Sequence, residues 1–407
     1  MKRKAIELLC NEDDNVIDFI SLSPQEIVYN ILEQVEEENW SIQVLKFRLV
    51  CKSWSIKLRY WLRNNIRMTI SLSSSERLTF YQTIFPRSIH IIVDKKICPF
   101  SMLKSIDQLQ SLKITVNGQN LKDSIVEYWL DSFSHVEELD LSDIDDHEEY
   151  SKWENTLGVY AETINKLTNL TKLSLSRQTL VGNLQLTKLT SLNIIDQDYT
   201  EDYYDPKVIR PSFSGLPNLK RLYIRNTSIS YLSNRCSELI NLETLILFDI
   251  NEPSNDDDEY YNEESSFPSI KSITIFNQNN WYIPNIVSLC PNIESLTIGN
   301  NVEEETSYLK CYLPKSLPNL KNLRIDCYSL RTGYDTLGGF WETVFNSYSR
   351  LERLNVFEFY TTKSKKDNKQ STIDICKQVW SDFIKLPSLK HATWISDIMD
   401  ERFESTT

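Results

Sequence analysis

The chain has 407 residues, 41% of them hydrophobic and 25% charged. That is the balance of a soluble folded protein long enough for two or three ordinary domains. Its formal net charge of −13 excludes general nucleic-acid binding, which needs a basic footprint to neutralise phosphates. It also disfavours docking on anionic membranes. The eight glycines build neither a G-x-G-x-x-G nor a G-x-x-x-x-G-K-[ST] loop, so the common phosphate cradles are absent. There is no G-x-S-x-G. His90, His135, His147 and His391 share no motif. No catalytic residue, metal or cofactor is expected.

The apolar segment after Met1 is too short for a secretory signal and is interrupted by Glu7, Glu12, Asp13 and Asp14. No run of about 18 apolar residues exists to span a membrane. The cysteines, scattered from Cys10 to Cys376, form no C-x-x-C pair and stand at no zinc-ligand spacing with histidine. Reduced thiols acting as small apolar residues fit this pattern, with a cytoplasmic or nuclear location. Lys2-Arg3-Lys4 reads as a solvated N-terminus rather than a nuclear signal.

The first strong element lies between Leu22 and Trp61. Ser23 can cap a helix, Pro24 suits its first position, and Glu26 completes a capping box. Ile27, Ile31, Leu32 and Val35 then recur at helical spacing. Glu36-Glu37-Glu38-Asn39 breaks the pattern. A second helical region from about Ile42 carries Leu45, Phe47, Leu49, Val50, Trp54, Leu58 and Trp61. Two helices this short bury their apolar faces poorly alone. They need either a partner that accepts helices in a groove, or the remaining chain, for which they would form a cap.

Leu22-Ser23-Pro24-Gln25-Glu26-Ile27-Val28, then Ile31-Leu32, Leu45, and Arg48-Leu49-Val50-Cys51-Lys52-Ser53-Trp54 resemble the F-box family motif. The resemblance implies a three-helix module that binds a Skp-family adaptor and so joins a cullin-based ubiquitin ligase. Carried over by position, it implies that Leu22, Pro24, Ile27, Ile31, Leu32, Leu45, Leu49, Val50 and Trp54 form the adaptor-binding set. Ser23 departs from the family, which usually has leucine there, and Glu36–Asn39 lengthens the first connection.

The remaining chain repeats. L-x-x-L-x-[L/I/V] begins at Leu109, Val136, Leu170, Leu189, Leu219, Leu242, Ile270, Ile293, Leu320 and Leu351, with a degenerate copy from Leu389 through Ala392 to Trp394. Steps range from 19 residues (Leu170 to Leu189) to 38 (Leu351 to Leu389). Several copies open on Leu-Pro-Asn-Leu-Lys or a variant: Leu216–Lys220, Cys290–Glu294, Leu317–Lys321 and Leu386–Lys390. The period predicts leucine-rich repeats, each a short strand with its leucines turned into a shared core. Helical spacing predicts intervening helices at Ile125–Phe133, Trp153–Lys166, Ile229–Leu239, Pro284–Leu289, Leu337–Tyr348 and Ile373–Ile384. The predicted fold is α/β: an N-terminal three-helix F-box, then an irregular solenoid with a parallel inner sheet and outer helices. The array resembles the F-box/leucine-rich-repeat and ribonuclease-inhibitor-like proteins. It lacks their ninth-position Asn or Cys in most copies, Asn117 and Asn301 excepted, so its turns must close another way.

The expected organisation is a flexible N-terminus over 1–20, the F-box over 21–65, a connecting segment or first atypical repeat over 66–105, leucine-rich repeats over 106–400 and a tail over 401–407. Acidic inserts at Asp249–Ser266, Asp143–Glu149 and Asp196–Asp205 read as solvated loops. The first lacks the ligand spacing and central glycine of a calcium loop. Positions beside the second leucine of each repeat face outward on the inner sheet, the usual binding surface of such arrays. There stand Tyr223, Arg225, Ile246, Phe248, Phe276, Arg324 and Phe357, a set rich in the aromatics and arginines of interface centres. The resulting expectation is a non-catalytic, substrate-recognition subunit of a cullin ubiquitin ligase. Its partners would be a Skp-family adaptor, the ligase core and a target protein, without nucleic acid or membrane. The rivals are a repeat scaffold without a ligase, and a repeat protein that regulates a GTPase.

Overall fold

A computed structural model of the protein describes residues 67–71, 87–93, 109–116, 133–142, 157–176, 183–195, 213–228, 238–251, 266–276, 283–299, 317–327, 348–358, 381, 386–396 and 401–406. The adaptor-binding residues expected between Leu22 and Trp54 lie outside this set. So do the acidic inserts, apart from their first or last residues, and most of the predicted helices. The chain divides into two compact units, Met1–Leu112 and Lys113–Thr407.

In the first unit, β1 (Arg67–Ser71) pairs in parallel with β2 (Ser88–Val93). Ile89 and Ile91 alternate inward and are fully buried, as are Leu109 and Leu112. The N–H groups of Gln110 and Ser111 donate to the Arg87 carbonyl. Strand pairing therefore begins inside the 66–105 segment, expected as a connection or a first atypical repeat. The strand β3 (Ser111–Val116) starts in this unit and ends in the next.

The second unit is a parallel-strand solenoid. Its strands are β4 (Glu138–Leu141), β5 (Lys172–Ser176), β6 (Ser191–Ile195), β7 (Arg221–Ser228), β8 (Thr244–Asn251), β9 (Ser272–Phe276), β10 (Ser295–Gly299), β11 (Asn322–Cys327), β12 (Arg353–Glu358) and β13 (His391–Ser396). They lie side by side in chain order. Register holds like positions together. Leu222, Leu245, Ile273, Leu296, Leu323, Leu354 and Ala392 form one column, and Ile224, Leu247, Ile275, Ile298, Ile325 and Val356 a second. Every member of both columns is at most 2% exposed. Burying a leucine or isoleucine this fully contributes about 1.5–3 kcal/mol, so stacking repeats is what makes each short strand stable. The degenerate copy ending at Trp394 takes the same register as β13. Residues expected as a tail instead form β14 (Glu401–Thr406), antiparallel to β13. It pairs an edge that would otherwise present unpaired backbone groups.

Each strand is entered through a tight turn in which the first leucine's N–H donates to the carbonyl three residues earlier. Leu219 bonds Leu216, Ile293 bonds Cys290 and Leu351 bonds Tyr348 in this way. Pro217, Pro268, Pro291, Pro318 and Pro387 occupy the second turn position, where a fixed φ suits a type I turn. In several repeats the third turn position is an asparagine that closes the turn onto the preceding repeat. Nδ2 of Asn169, Asn218, Asn241 and Asn292 donates to the carbonyls of Ser134, Thr187, Pro217 and Pro268. An asparagine ladder is thus present, one position before the first leucine rather than at the ninth.

Two helices are described, α1 (Leu157–Asn165) and α2 (Ile283–Ser288), inside or beside the spans predicted at Trp153–Lys166 and Pro284–Leu289. In the shortest repeat, entered at Leu170 and left at Leu189, the described segment at 183–186 buries Leu184 and Leu186. Asn165 serves it as a backbone surrogate, donating to the Asn183 carbonyl and accepting from the Gln185 N–H. On its other side Gly215 lies so close that an added Cβ would stand 1.9 Å from the Leu184 carbonyl oxygen. Gly215→Ala must therefore move backbone rather than a pliable side chain. It is expected to cost about 1–3 kcal/mol, measured by urea unfolding; an unchanged midpoint would show that the two segments are not packed this way.

Candidate binding face

The outward positions of the second unit form three rows across the sheet, and their chemistry changes along it. From β4 to β6 the face is mostly polar and self-bonded, with Ile195 its apolar exception. Ser142 Oγ donates to Asp140 Oδ1 at 2.6 Å, and Asn193 Nδ2 donates to Ser174 Oγ at 3.0 Å. At β7 it becomes aromatic. Tyr223, Phe248 and Phe276 stand on three adjacent strands, each partly exposed. Tyr223 meets Phe248 at 5.2 Å between ring centroids and 34°, and Phe248 stacks on Phe276 at 4.7 Å and 20°. Ile246 is the register partner of Tyr223, and Arg225 that of Phe248.

The ridge ends on Gly299, the register partner of Phe276. A Cβ there would lie 2.2 Å from Cδ1 and Cε1 of the Phe276 ring, so the ring occupies the space that any other residue would fill. Gly299 is buried beneath it. Further along, Arg324 Nε donates to both carboxylate oxygens of Asp326, at 3.0 and 2.9 Å, and the guanidinium lies 4.6 Å from the Phe357 ring centroid. Of the residues read as a binding set, the structure thus brings Tyr223, Ile246, Phe248 and Phe276 into one ridge, with Arg225 beside it. Arg324 and Phe357 join a second cluster beyond the small residues of β10. Gly299 and Asp326 complete the two groups. Both occupy the same outward position that picked out Phe248 and Phe276, but a glycine or an acid was not read as a contact residue.

A further row, one residue before each strand, was not anticipated. Lys220, Glu243, Lys271, Glu294, Lys321, Glu352 and Lys390 alternate in charge from repeat to repeat. Lys321 Nζ lies 2.7 Å from Glu294, Lys390 Nζ 2.8 Å from Glu352, and Lys220 Nζ 3.7 Å from Glu243. The bond from Lys321 and its charge, aided by Lys271, hold the Glu294 carboxyl below its ordinary pKa. Lys390 does the same for Glu352, aided by Lys321 and Arg353. These pairs are solvent-exposed and individually weak. Slipping the array by one repeat would set Glu beside Glu and Lys beside Lys, so the row favours one register. A shallow depression at this edge, lined by Lys321, Arg350, Glu352, Ser388 and Lys390, has its lysines already engaged by Glu294 and Glu352. It is a poor anion site.

Among the described residues, no cluster of His, Cys, Asp or Glu could hold a metal ion. Cys290, at the first turn position of its repeat, is fully buried and free. Burial pushes its thiol up to about 12, so it acts as a small apolar residue and not as a nucleophile.

No family model and no curated protein matches the chain. A solved structure described as the crystal structure of a TLR13–ssRNA13 complex is similar at 18% identity, with a TM-score of 0.43. The similarity covers 77% of this chain and 44% of that one.

Two expectations follow from this geometry. Gly299→Ala should displace the Phe276 ring and cost about 1 kcal/mol, the worth of an aromatic pair, but cost almost nothing in a Phe276→Ala background. A double-mutant cycle by chemical denaturation measures this coupling, and additive costs would contradict the placement of the ring. Separately, Lys321→Gln should raise the Glu294 carboxyl toward its ordinary pKa, as followed by NMR titration. With a depressed folded-state pKa, the pair's contribution to stability is present above the ordinary carboxylate pKa and is lost as the pH falls through the folded value.

Proposed function

We propose that this protein is a non-catalytic recognition subunit whose inner sheet binds a target protein. The observation that carries this reading is the aromatic ridge of Tyr223, Phe248 and Phe276 at outward positions of a rigid sheet. Partly exposed rings in contact across three strands form an apolar strip, which a partner protein would cover at a gain in free energy. No bond-making chemistry is assigned to the chain.

We further propose that the partner machinery is a cullin ubiquitin ligase. This finer reading is supported by the sequence between Leu22 and Trp54, whose helix-start chemistry and late Val-Cys-Lys-Ser-Trp run resemble the F-box motif. In that role the N-terminal helices hold a Skp-family adaptor and the sheet holds the target. The rate of ubiquitin transfer then rises through effective concentration. The expected location is cytoplasmic or nuclear.

Co-expression of the full chain with a Skp-family adaptor tests the finer reading. A stable complex is expected. Replacing Pro24, Ile31 and Trp54 together by alanine should lower its affinity at least about 100-fold, as loss of several anchor side chains does. Absence of a complex, or indifference to these changes, would remove the ligase and leave a recognition scaffold.

A further inference from the structure

Although the chain as a whole is acidic, its inner sheet is not. From β7 to β13 the outward strand positions carry Arg221, Arg225, Arg324 and Arg353, all exposed. Among the described residues of β7 to β13 the only acid at these positions is Asp326, which already binds Arg324; in the same rows, Glu138 and Asp140 of β4 are paired with Lys172 and Lys113, and Glu404 of β14 stands beside Thr393. The adjoining row of alternating Lys and Glu nearly cancels itself. The face is therefore locally basic, in a chain whose formal net charge is −13. At physiological ionic strength charges are screened beyond about 8 Å, so a docked segment responds most to the charges it lies against.

We infer that the target segment recognised by this face is an acidic polypeptide. Its apolar side chain lies against the Phe248–Phe276 ridge, and its Asp or Glu side chains pair with the arginines on either side. This rests on the reading that the inner sheet receives a protein partner. The cations at these positions are all arginine, whose planar fork matches carboxylates in two-point contacts and is less strongly hydrated than an ammonium. Ring geometry argues for a polypeptide over a single-stranded nucleic acid. Phe248 and Phe276 are stacked on each other at 20°, so their facing surfaces are already used. Bases need open ring faces to stack on, whereas an aliphatic or aromatic side chain packs against a ridge of edges.

The test is to pan a random linear peptide library against the intact protein, against an Arg221→Glu/Arg353→Glu variant and against a Phe248→Ser variant. Circular dichroism confirms that all three are folded. The wild type is expected to select peptides rich in Asp and Glu around an apolar residue. A selected peptide should bind the charge-reversed variant about tenfold or more weakly, as opposed charges across an interface require, and its binding should weaken with added salt. Selection of neutral or Lys/Arg-rich peptides that still depend on Phe248 would overturn the acidic partner and leave the recognition face standing. A set of peptides indifferent to both variants would overturn the recognition face itself. Tighter binding of a single-stranded uridine oligonucleotide, lost in the same variants, would overturn the choice of a polypeptide.

Discussion

The second unit depends on one backbone arrangement. The carbonyl of the residue before each strand accepts two N–H groups from the next repeat. Glu243 accepts from Lys271 and Ser272, Glu294 from Lys321 and Asn322, and Glu352 from Lys390 and His391. This fixes each strand beside the last in the same register. Only then do the leucines and isoleucines fall into continuous buried columns, since a slip of one residue would turn every one of them to solvent. The alternating charges and the asparagine turn bonds sit at this junction and reinforce it. The aromatic ridge is a consequence: Tyr223, Phe248 and Phe276 meet because the register brings successive outward positions together.

The repeats were legible because an L-x-x-L-x-L period ties each apolar residue to one direction in space. The start of every strand from β4 to β13 follows from the same count, and so do the outward positions of Tyr223, Ile246, Phe248 and Phe276. Other features had weaker signals. The strand β2 buries Ile89 and Ile91 within Ser-Ile-His-Ile-Ile-Val, which alternates but lacks the leading leucine. The closing strand β14 is hydrophilic in composition, and only its position at the sheet edge makes it a strand. The turn asparagines stand before the opening leucine in Leu-x-Asn-Leu or a variant, but their role depends on a carbonyl in another repeat, 24 to 35 residues away.

The candidate site shows the same division. Residue types and their outward placement could be read from the chain, whereas contacts between repeats could not. Nothing in Ser-Leu-Thr-Ile-Gly marks Gly299 as the floor beneath a ring 23 residues earlier, and the pairing of Arg324 with Asp326 and Phe357 is a matter of geometry. The alternating row was present as a Lys or Glu after each opening leucine. Its meaning needs the strands side by side. The residues from Leu22 to Trp54 proposed to bind an adaptor lie outside the described residues, and the case for them is the sequence motif.

The central claim is that recognition occurs on the inner sheet. It is tested most directly by placing a photo-crosslinking amino acid at Thr274, between the ridge residues Ile246 and Phe276, and separately at Glu162 on α1. The expected result is a discrete covalent adduct with a partner polypeptide from Thr274 and none from Glu162, with the Thr274 adduct lost on Phe248→Ser. Adducts from Glu162 alone, or from Thr274 regardless of Phe248, would contradict it.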